Sequence, residues 1–256
     1  MIKNIKGFLF DLDGVLCIEG KPIIGSIQLL NILNSRCIPF RILTNYTTLS
    51  RKGLYDKLTS LGFNISKEHI ISAAYAGVLR LRKLDNPRCE FILSANVIED
   101  YNEFTLDSVS PEYIIIGDLD DKWSFEIINN IFKKVINGSR IIALHKGRYF
   151  EVSDGLQIDS GAFIRAIEYA TSTDSEVIGK PEKTFFQLAI DDIGLSPDNL
   201  MMIGDDIIND VGGAKKMGIK GTLVKTGKFR EDIVNSTNIK PDYIIDSVSD
   251  LLNYFI

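Results

Sequence analysis

The chain predicts an α/β fold: a mostly parallel, doubly wound sheet with a second, smaller α/β domain inserted into it. Three observations predict this. Short apolar runs alternate with longer amphipathic ones along the chain. Several of those runs stop on small polar or acidic residues, and in a parallel sheet the carboxyl ends of strands are where ligands gather. The runs that stop in this way fall into two groups, and the long stretch between them holds strands and helices of its own.

In chain order, the runs that read as strands are GFLF (7–10), FRIL (40–43), FIL (91–93), YIII (113–116), IIAL (141–144), LMMI (200–203), TLV (222–224) and YII (243–245). Helices are expected between them. In IGSIQLLNILNSR (24–36), Ile27, Leu30, Ile32 and Leu33 recur at helical spacing. SRKGLYDKLTSLG (50–62) starts on a good N-cap, Ser50, and stops at Gly62. KWSFEIINNIFKKVING (122–138) is amphipathic and ends in Gly138. KTFFQLAIDDIG (183–194) and DVGGAKKMG (210–218) also end in glycine. The domain boundaries expected from this pattern are 1–72 and 175–256 for a core, and 73–174 for the insertion.

Composition narrows the class. The chain has 256 residues, 45% of them hydrophobic and 25% charged, which is enough to bury a sizeable core. Its net charge is −5, and no block concentrates Lys and Arg, so no nucleic-acid or anionic-membrane partner is expected. The three cysteines, Cys17, Cys37 and Cys89, are odd in number and widely spaced. They fit reduced thiols in the cytoplasm better than a disulfide framework or a zinc site. The apolar run at the start is too short for a signal peptide. No run approaches the roughly 18 apolar residues of a membrane span.

The strand ends carry the chemistry. GFLF runs into DLDG (11–14), which places Asp11 and Asp13 one residue apart. Asp and Gly are common in turns, so this segment alone reads as a turn before it reads as catalysis. LMMI runs into GDDIIND, with Asp205, Asp206 and Asp210. Asp210 also suits a helix start, where a carboxylate meets the positive end of the macrodipole. Adjacent acids at the end of a buried strand repel one another unless something cationic compensates them. Mg²⁺ would do so, since it is a hard cation that takes carboxylate oxygens, and Asp11 and Asp205 are suitable ligands. Lys180, in VIGKPEKTFF (177–186), can balance the charge of a nucleophile and a phosphoryl group. By itself it reads as a surface lysine before a helix. FRIL runs into Thr44 and Asn45, whose hydroxyl and amide can donate to phosphate oxygens or can cap a turn.

Together, FDLDGVL, ILTN, GKPEKTFF and IGDDIINDVGGAKKMG resemble, in order, the four motifs of the haloacid dehalogenase superfamily. The TN form of the second motif and the long insertion after it resemble the large-cap branch, subfamily IIA. The resemblance implies a Rossmann-like core, an α/β cap that sets specificity, and a Mg²⁺-dependent phosphatase acting on small phosphorylated molecules. It implies that Asp11 is the nucleophile, forming an aspartyl-phosphate, and that Asp13 is the general acid and then the base, with a carboxyl pKa above that of Asp11. Asp11, the Asp13 carbonyl and Asp205 would hold the metal. Asp206 and Asp210 would orient bound water or Lys180, and Thr44, Asn45 and Lys180 would grip the phosphate. The superfamily's dehalogenases lack the second aspartate and its cation pumps carry threonine there, so Asp13 points to a phosphatase or phosphomutase. A phosphotransferase and a non-catalytic phosphate-metabolite sensor remain as alternatives, although a sensor has no use for a general acid. A homodimer through the cap is also implied.

Within the insertion, His145 and Lys146 follow a strand and are candidates for cap specificity, or for a solvated loop. Trp123 reads as core packing and His69 as structural. Cys17, just past DLDG, reads as a buried thiol or as a redox-sensitive one.

Overall fold

The computed structural model describes residues 4–152 and 155–255; residues 1–3 of the N-terminal stretch read above lie outside them. In chain order its elements are β1 (Gly7–Asp11), β2 (Cys17–Ile18), β3 (Lys21–Pro22), α1 (Ser26–Ser35), β4 (Phe40–Thr44), α2 (Arg51–Ser60), β5 (Ile70–Ser72), α3 (Ala73–Arg82), β6 (Cys89–Ile92) and β7 (Tyr113–Ile116). There follow α4 (Phe125–Ile136), β8 (Arg140–Ala143), β9 (Tyr149–Val152), β10 (Gly155–Ile158), α5 (Ser160–Thr171), β11 (Glu176–Val177) and α6 (Lys183–Ile193). The chain closes with β12 (Leu200–Gly204), α7 (Gly213–Lys215), β13 (Lys220–Val224), α8 (Glu231–Ser236) and β14 (Tyr243–Ile245). It divides into two compact units, one of Met1–Thr44, Leu54–Ile71 and Lys180–Ile256, the other of Asn45–Gly53 and Ser72–Gly179.

The first unit is built on a six-stranded sheet in the order β14-β13-β12-β1-β4-β5. β1 pairs in parallel with β12 on one side and β4 on the other, so Phe10 lies beside both Ile203 and Ile42. β13 and β14 continue the sheet in parallel beyond β12. Every residue of β1 and β12 is buried. Strands covered on both faces have no solvent side to serve, which explains why their sequences run apolar instead of alternating. Because these strands point the same way, the residues after Asp11, Thr44, Gly204 and Val224 emerge along one edge of the sheet. His69 stacks on Phe40 with ring centroids 4.2 Å apart, the structural place its sequence context suggests.

The second unit has its own four-stranded sheet, β11-β8-β7-β6, with every pair parallel, and a separate antiparallel hairpin of β9 and β10. One face of α4 and one of α5 bury Ile131, Val135, Ile164 and Ile167 against Ile114, Ile116, Ile141 and Ala143 of the strands. Trp123 packs on this core and stacks on Phe163, with centroids 4.7 Å apart. Residues 45–53, left with the core by the sequence boundaries, make several hydrogen bonds within this unit. The Ser50 amide donates to the Asn96 carbonyl at 3.0 Å and the Arg51 amide to Asp100 Oδ2 at 2.7 Å. The Ser50 hydroxyl donates to Glu99 and accepts from the Gly53 amide, the N-cap bond expected of it.

One expected helix takes a different form. Ile207–Gly212 is a π-helical turn, followed by the single short turn of α7. Gly212 and Gly213 are poor α-helix formers. The wider turn seats Asp210 against the strand end so closely that a Cβ on Gly204 would lie 2.1 Å from that of Asp210. Among the described residues, no helix is long and apolar enough to cross a membrane.

Candidate active site

The site sits where β1, β4 and β12 end. Asp11, the last residue of β1, accepts two hydrogen bonds on Oδ1, from Lys180 Nζ at 2.7 Å and from the Leu12 amide at 2.7 Å. Lys180 also donates to Asp210 Oδ1 at 2.7 Å and to the Leu43 carbonyl at 3.2 Å. The lysine that alone reads as a surface residue is thus buried, bridging two carboxylates from opposite sides of the sequence. Asp210 is fully enclosed, and its Oδ2 accepts the Asp206 amide at 3.1 Å. Asp205, immediately after β12, accepts the Lys228 amide on Oδ2 at 2.6 Å.

The electrostatics follow from burial. Desolvation pushes the Asp205 carboxyl up to about 6, partly offset by the Lys228 amide, and pushes Asp210 up to about 7, reinforced by the charge of Asp11. Asp11 is raised by the same desolvation, against the pull of Lys180. Burial alone would lower the Lys180 ammonium, but Asp11 and Asp210 outweigh it and the lysine stays charged. Three carboxylates against one ammonium leave this pocket two negative charges in excess when all are ionised.

That excess tests whether a cation fits. Carboxylate oxygens of Asp11, Asp205 and Asp210 lie within 4.8 Å of one another. Asp205 Oδ1 is buried and has no hydrogen-bond partner among the described residues. A buried carboxylate oxygen left bare is costly unless a cation or donor meets it. An all-oxygen, anionic donor set is what Mg²⁺ prefers. The residues present fit the ion.

The remaining predicted residues fall in several places. Asp13 is exposed at the loop tip and bridges Cys17 through the backbone. Partial desolvation raises its carboxyl, opposed by Lys57, Lys228 and Lys180. Thr44 ends β4 and is buried. Asn45 begins the segment grouped with the second unit, where a Cβ on Gly179 would come 2.9 Å from its Oδ1. Asp206 caps the π-helical turn, accepting the amides of Ile208 and Asn209 at 2.9 Å each. Of the two acids after Asp205, it is Asp210 that touches Lys180. In the second unit, His145 accepts the Gly147 amide on Nδ1 at 3.1 Å, so Nε2 carries the proton and donates to Asp159, 3.0 Å away. Lys146 donates to Glu168 at 2.5 Å. Cys17 is buried and its thiol is pushed up to about 11 by desolvation, which removes the reactive thiolate at neutral pH.

Sequence reasoning passed over Thr226, Gly227 and Lys228. The signal was available: these residues follow the strand TLV, which pairs directly with the strand that ends just before Asp205.

Two family models match. The one described as haloacid dehalogenase-like hydrolase covers residues 8–106, and a second HAD-hydrolase-like model covers residues 177–251. The chain is 34% identical over 254 residues to the phospholysine phosphohistidine inorganic pyrophosphate phosphatase of Danio rerio, covering 97% of this chain and 93% of that one. It is 36% identical over 236 residues to haloacid dehalogenase-like hydrolase domain-containing protein 2 of Bos taurus, covering 91% and 90%. Among solved structures it is similar to a p-nitrophenyl phosphatase from Archaeoglobus fulgidus, with a TM-score of 0.89 and 26% identity over 98% of this chain and 99% of that one.

Proposed function

Because this chain belongs to the haloacid dehalogenase-like hydrolases, we propose that it is a phosphatase acting on small phosphorylated molecules through a phosphoryl group carried on Asp11, with Mg²⁺ in the acidic pocket. The observation that carries this reading is the buried Lys180 bridge between Asp11 and Asp210, beside an Asp205 with one bare oxygen.

Lys180 and the Leu12 amide fix the Asp11 carboxylate in one orientation, so little freedom is lost when it attacks. In the first step an Asp11 oxygen bonds to phosphorus and the bond from phosphorus to the leaving oxygen breaks. The electron pair goes to that oxygen, which takes its proton from Asp13. In the second step Asp13, now a carboxylate, removes a proton from water. The water oxygen bonds to phosphorus, the bond to Asp11 breaks, and phosphate leaves. Partial desolvation raises the Asp13 carboxyl, the direction that favours its protonated form. Lys180 supplies positive charge next to the nucleophile, and Asp210 holds that ammonium in place. Thr44 and Asn45 would donate to phosphate oxygens. Mg²⁺, held by Asp11, Asp205 and the Asp13 main-chain carbonyl, would neutralise the phosphoryl oxygens when bound. The second unit would act as the cap that selects the substrate.

The test is hydrolysis of p-nitrophenyl phosphate with Mg²⁺. Asp11→Asn should lower kcat by at least about 10³-fold. Equal turnover by variant and parent sinks the proposal. Water labelled with heavy oxygen should place the label in released phosphate; label-free phosphoryl transfer to another acceptor marks a phosphotransferase instead. The zebrafish relative is named for phospholysine, phosphohistidine and inorganic pyrophosphate. Those three substrates belong on the panel from which kcat/KM ranks the substrate class.

A further inference from the structure

We propose that the loop after β13, Thr226-Gly227-Lys228, is a clasp that positions Asp205 and the Asp11–Gly14 loop for the cation, with Thr226 as its pivotal positioning residue. The inference rests on the function proposed above and adds residues that none of its steps use.

Register brings the loop there. β13 pairs in parallel with β12, with Leu223 beside Gly204. The residues after Val224 therefore emerge next to those after Gly204. Two bonds then tie three loops together. The Lys228 amide donates to Asp205 Oδ2 at 2.6 Å, and the Thr226 hydroxyl donates to the carbonyl of Gly14. Gly14 itself donates its amide to the Cys17 carbonyl at 2.6 Å, which ties the Asp11–Gly14 loop to the residues that follow it.

Backbone contact completes the clasp. Gly14 and Gly227 both adopt left-handed conformations, with φ of 85° and 58°. A Cβ on Gly14 would lie 2.0 Å from Asp205 Oδ2, and one on Gly227 would lie 2.1 Å from the same atom and 2.5 Å from the Gly14 Cα. No side chain fits in either place, so the two backbones close directly around one carboxylate oxygen. The consequence is a division of labour within Asp205. Oδ2 is committed to the clasp, and Oδ1 is the buried oxygen left without a partner. The clasp thereby decides which oxygen a cation meets. The Thr226 hydroxyl is the side-chain donor that bonds the nucleophile loop to it.

Thr226→Val keeps the shape and removes the donor; Thr226→Ser keeps the donor. Mg²⁺ binding is read as the rise in melting temperature across a Mg²⁺ titration, without substrate, alongside the Mg²⁺ dependence of p-nitrophenyl phosphate hydrolysis. Thr226→Val should raise about fivefold or more both the half-saturating Mg²⁺ concentration for hydrolysis and the Mg²⁺ concentration needed for a given rise in melting temperature, with KM for the substrate at saturating Mg²⁺ changed less. Thr226→Ser should restore the parental value. A Thr226→Val protein that melts lower by the same amount at every Mg²⁺ concentration has lost only structure, and the clasp is overturned. So is it if the half-saturating concentration is unchanged. Should Thr226→Val not fold, Thr226→Ala is read by the same criteria. If the parent protein shows no Mg²⁺-dependent rise at all, the cation reading of the site fails; if the parent responds and Thr226→Val responds identically, only the clasp fails.

Discussion

Each compact unit buries a carboxylate against a lysine, and the two arrangements are opposites. In the second unit Glu168 is 4% exposed and fully satisfied. It accepts from Lys146 Nζ at 2.5 Å, Arg165 at 2.8 Å, and the Ser175 amide and hydroxyl at 2.9 and 2.6 Å. Burial would raise its pKa, yet these donors hold it down at about 2. In the first unit, one lysine serves two of three carboxylates, their carboxyls are pushed upward, and an Asp205 oxygen is bare. Glu168 is what a buried charge looks like when stability is its task. The Asp11–Asp205–Asp210 pocket keeps unspent repulsion, and such frustration is tolerated where a ligand relieves it.

The contrast breaks most visibly at Lys180 and Glu168. Lys180→Met removes the ammonium that faces the nucleophile and should lower kcat/KM for p-nitrophenyl phosphate by about 10²–10³-fold. If turnover stays within a few-fold of the parent, the charge beside Asp11 is not part of the chemistry. Glu168→Ala should act on the other property. It leaves Lys146 without its partner and the Ser175 amide without an acceptor. The expected cost is about 3 kcal/mol of stability, because one member of a largely buried pair is deleted. Thermal unfolding should show this as a melting temperature lower by roughly 5–10 °C. The half-saturating Mg²⁺ concentration of the folded variant should not move; a shift would mean that the two clusters are not independent.

The difference between the clusters also explains what could be read in advance. The strands of both sheets were legible where burial on both faces forced apolar runs, as in GFLF, YIII and LMMI. Short or exposed strands were not: β5 has three residues, and the β9–β10 hairpin leaves Tyr149, Leu156 and Ile158 facing outward. The acidic pocket was legible because parallel strands must deliver their ends to one edge, so segments distant in sequence could be joined by rule. Which acid meets Lys180 was not legible. The π-helical turn at Ile207–Gly212 decides between Asp206 and Asp210, and no apolar period encodes it. Glu168 was invisible for a related reason. A glutamate on an amphipathic helix reads as a surface residue, and its satisfaction depends on Arg165 of the same helix together with Lys146 and Ser175 from outside it. The same bond shows that Lys146, a candidate for specificity, has a structural partner within its own unit.

A smaller effect separates the clusters by pH. The Asp205 carboxyl lies at about 6 in the folded protein against an ordinary value of 3.8. A raised carboxyl favours folding while protonated. Its contribution is fully present below the ordinary value and is lost as pH rises through about 6; Asp210, at about 7, behaves in the same way. Glu168 has the reverse sign. Its contribution is present above the ordinary 4.5 and is lost only as pH falls through about 2. Between about pH 5 and pH 8, therefore, Glu168 stays constant while the acidic pocket loses stability. Mg²⁺ requires the ionised carboxylates, so its stabilisation should grow over the same interval. With saturating Mg²⁺, the gain over a chelator control should be larger at about pH 8 than at about pH 5 by roughly 1–2 kcal/mol. Melting curves at the two pH values, each with Mg²⁺ and with chelator, measure it. Glu168→Ala should retain this difference, since its own carboxylate is ionised throughout. Asp205→Asn should abolish it, by removing both the raised carboxyl and the negative charge that the cation requires. A pH-independent Mg²⁺ effect would mean that the cation is held somewhere other than on the carboxylates that burial has strained.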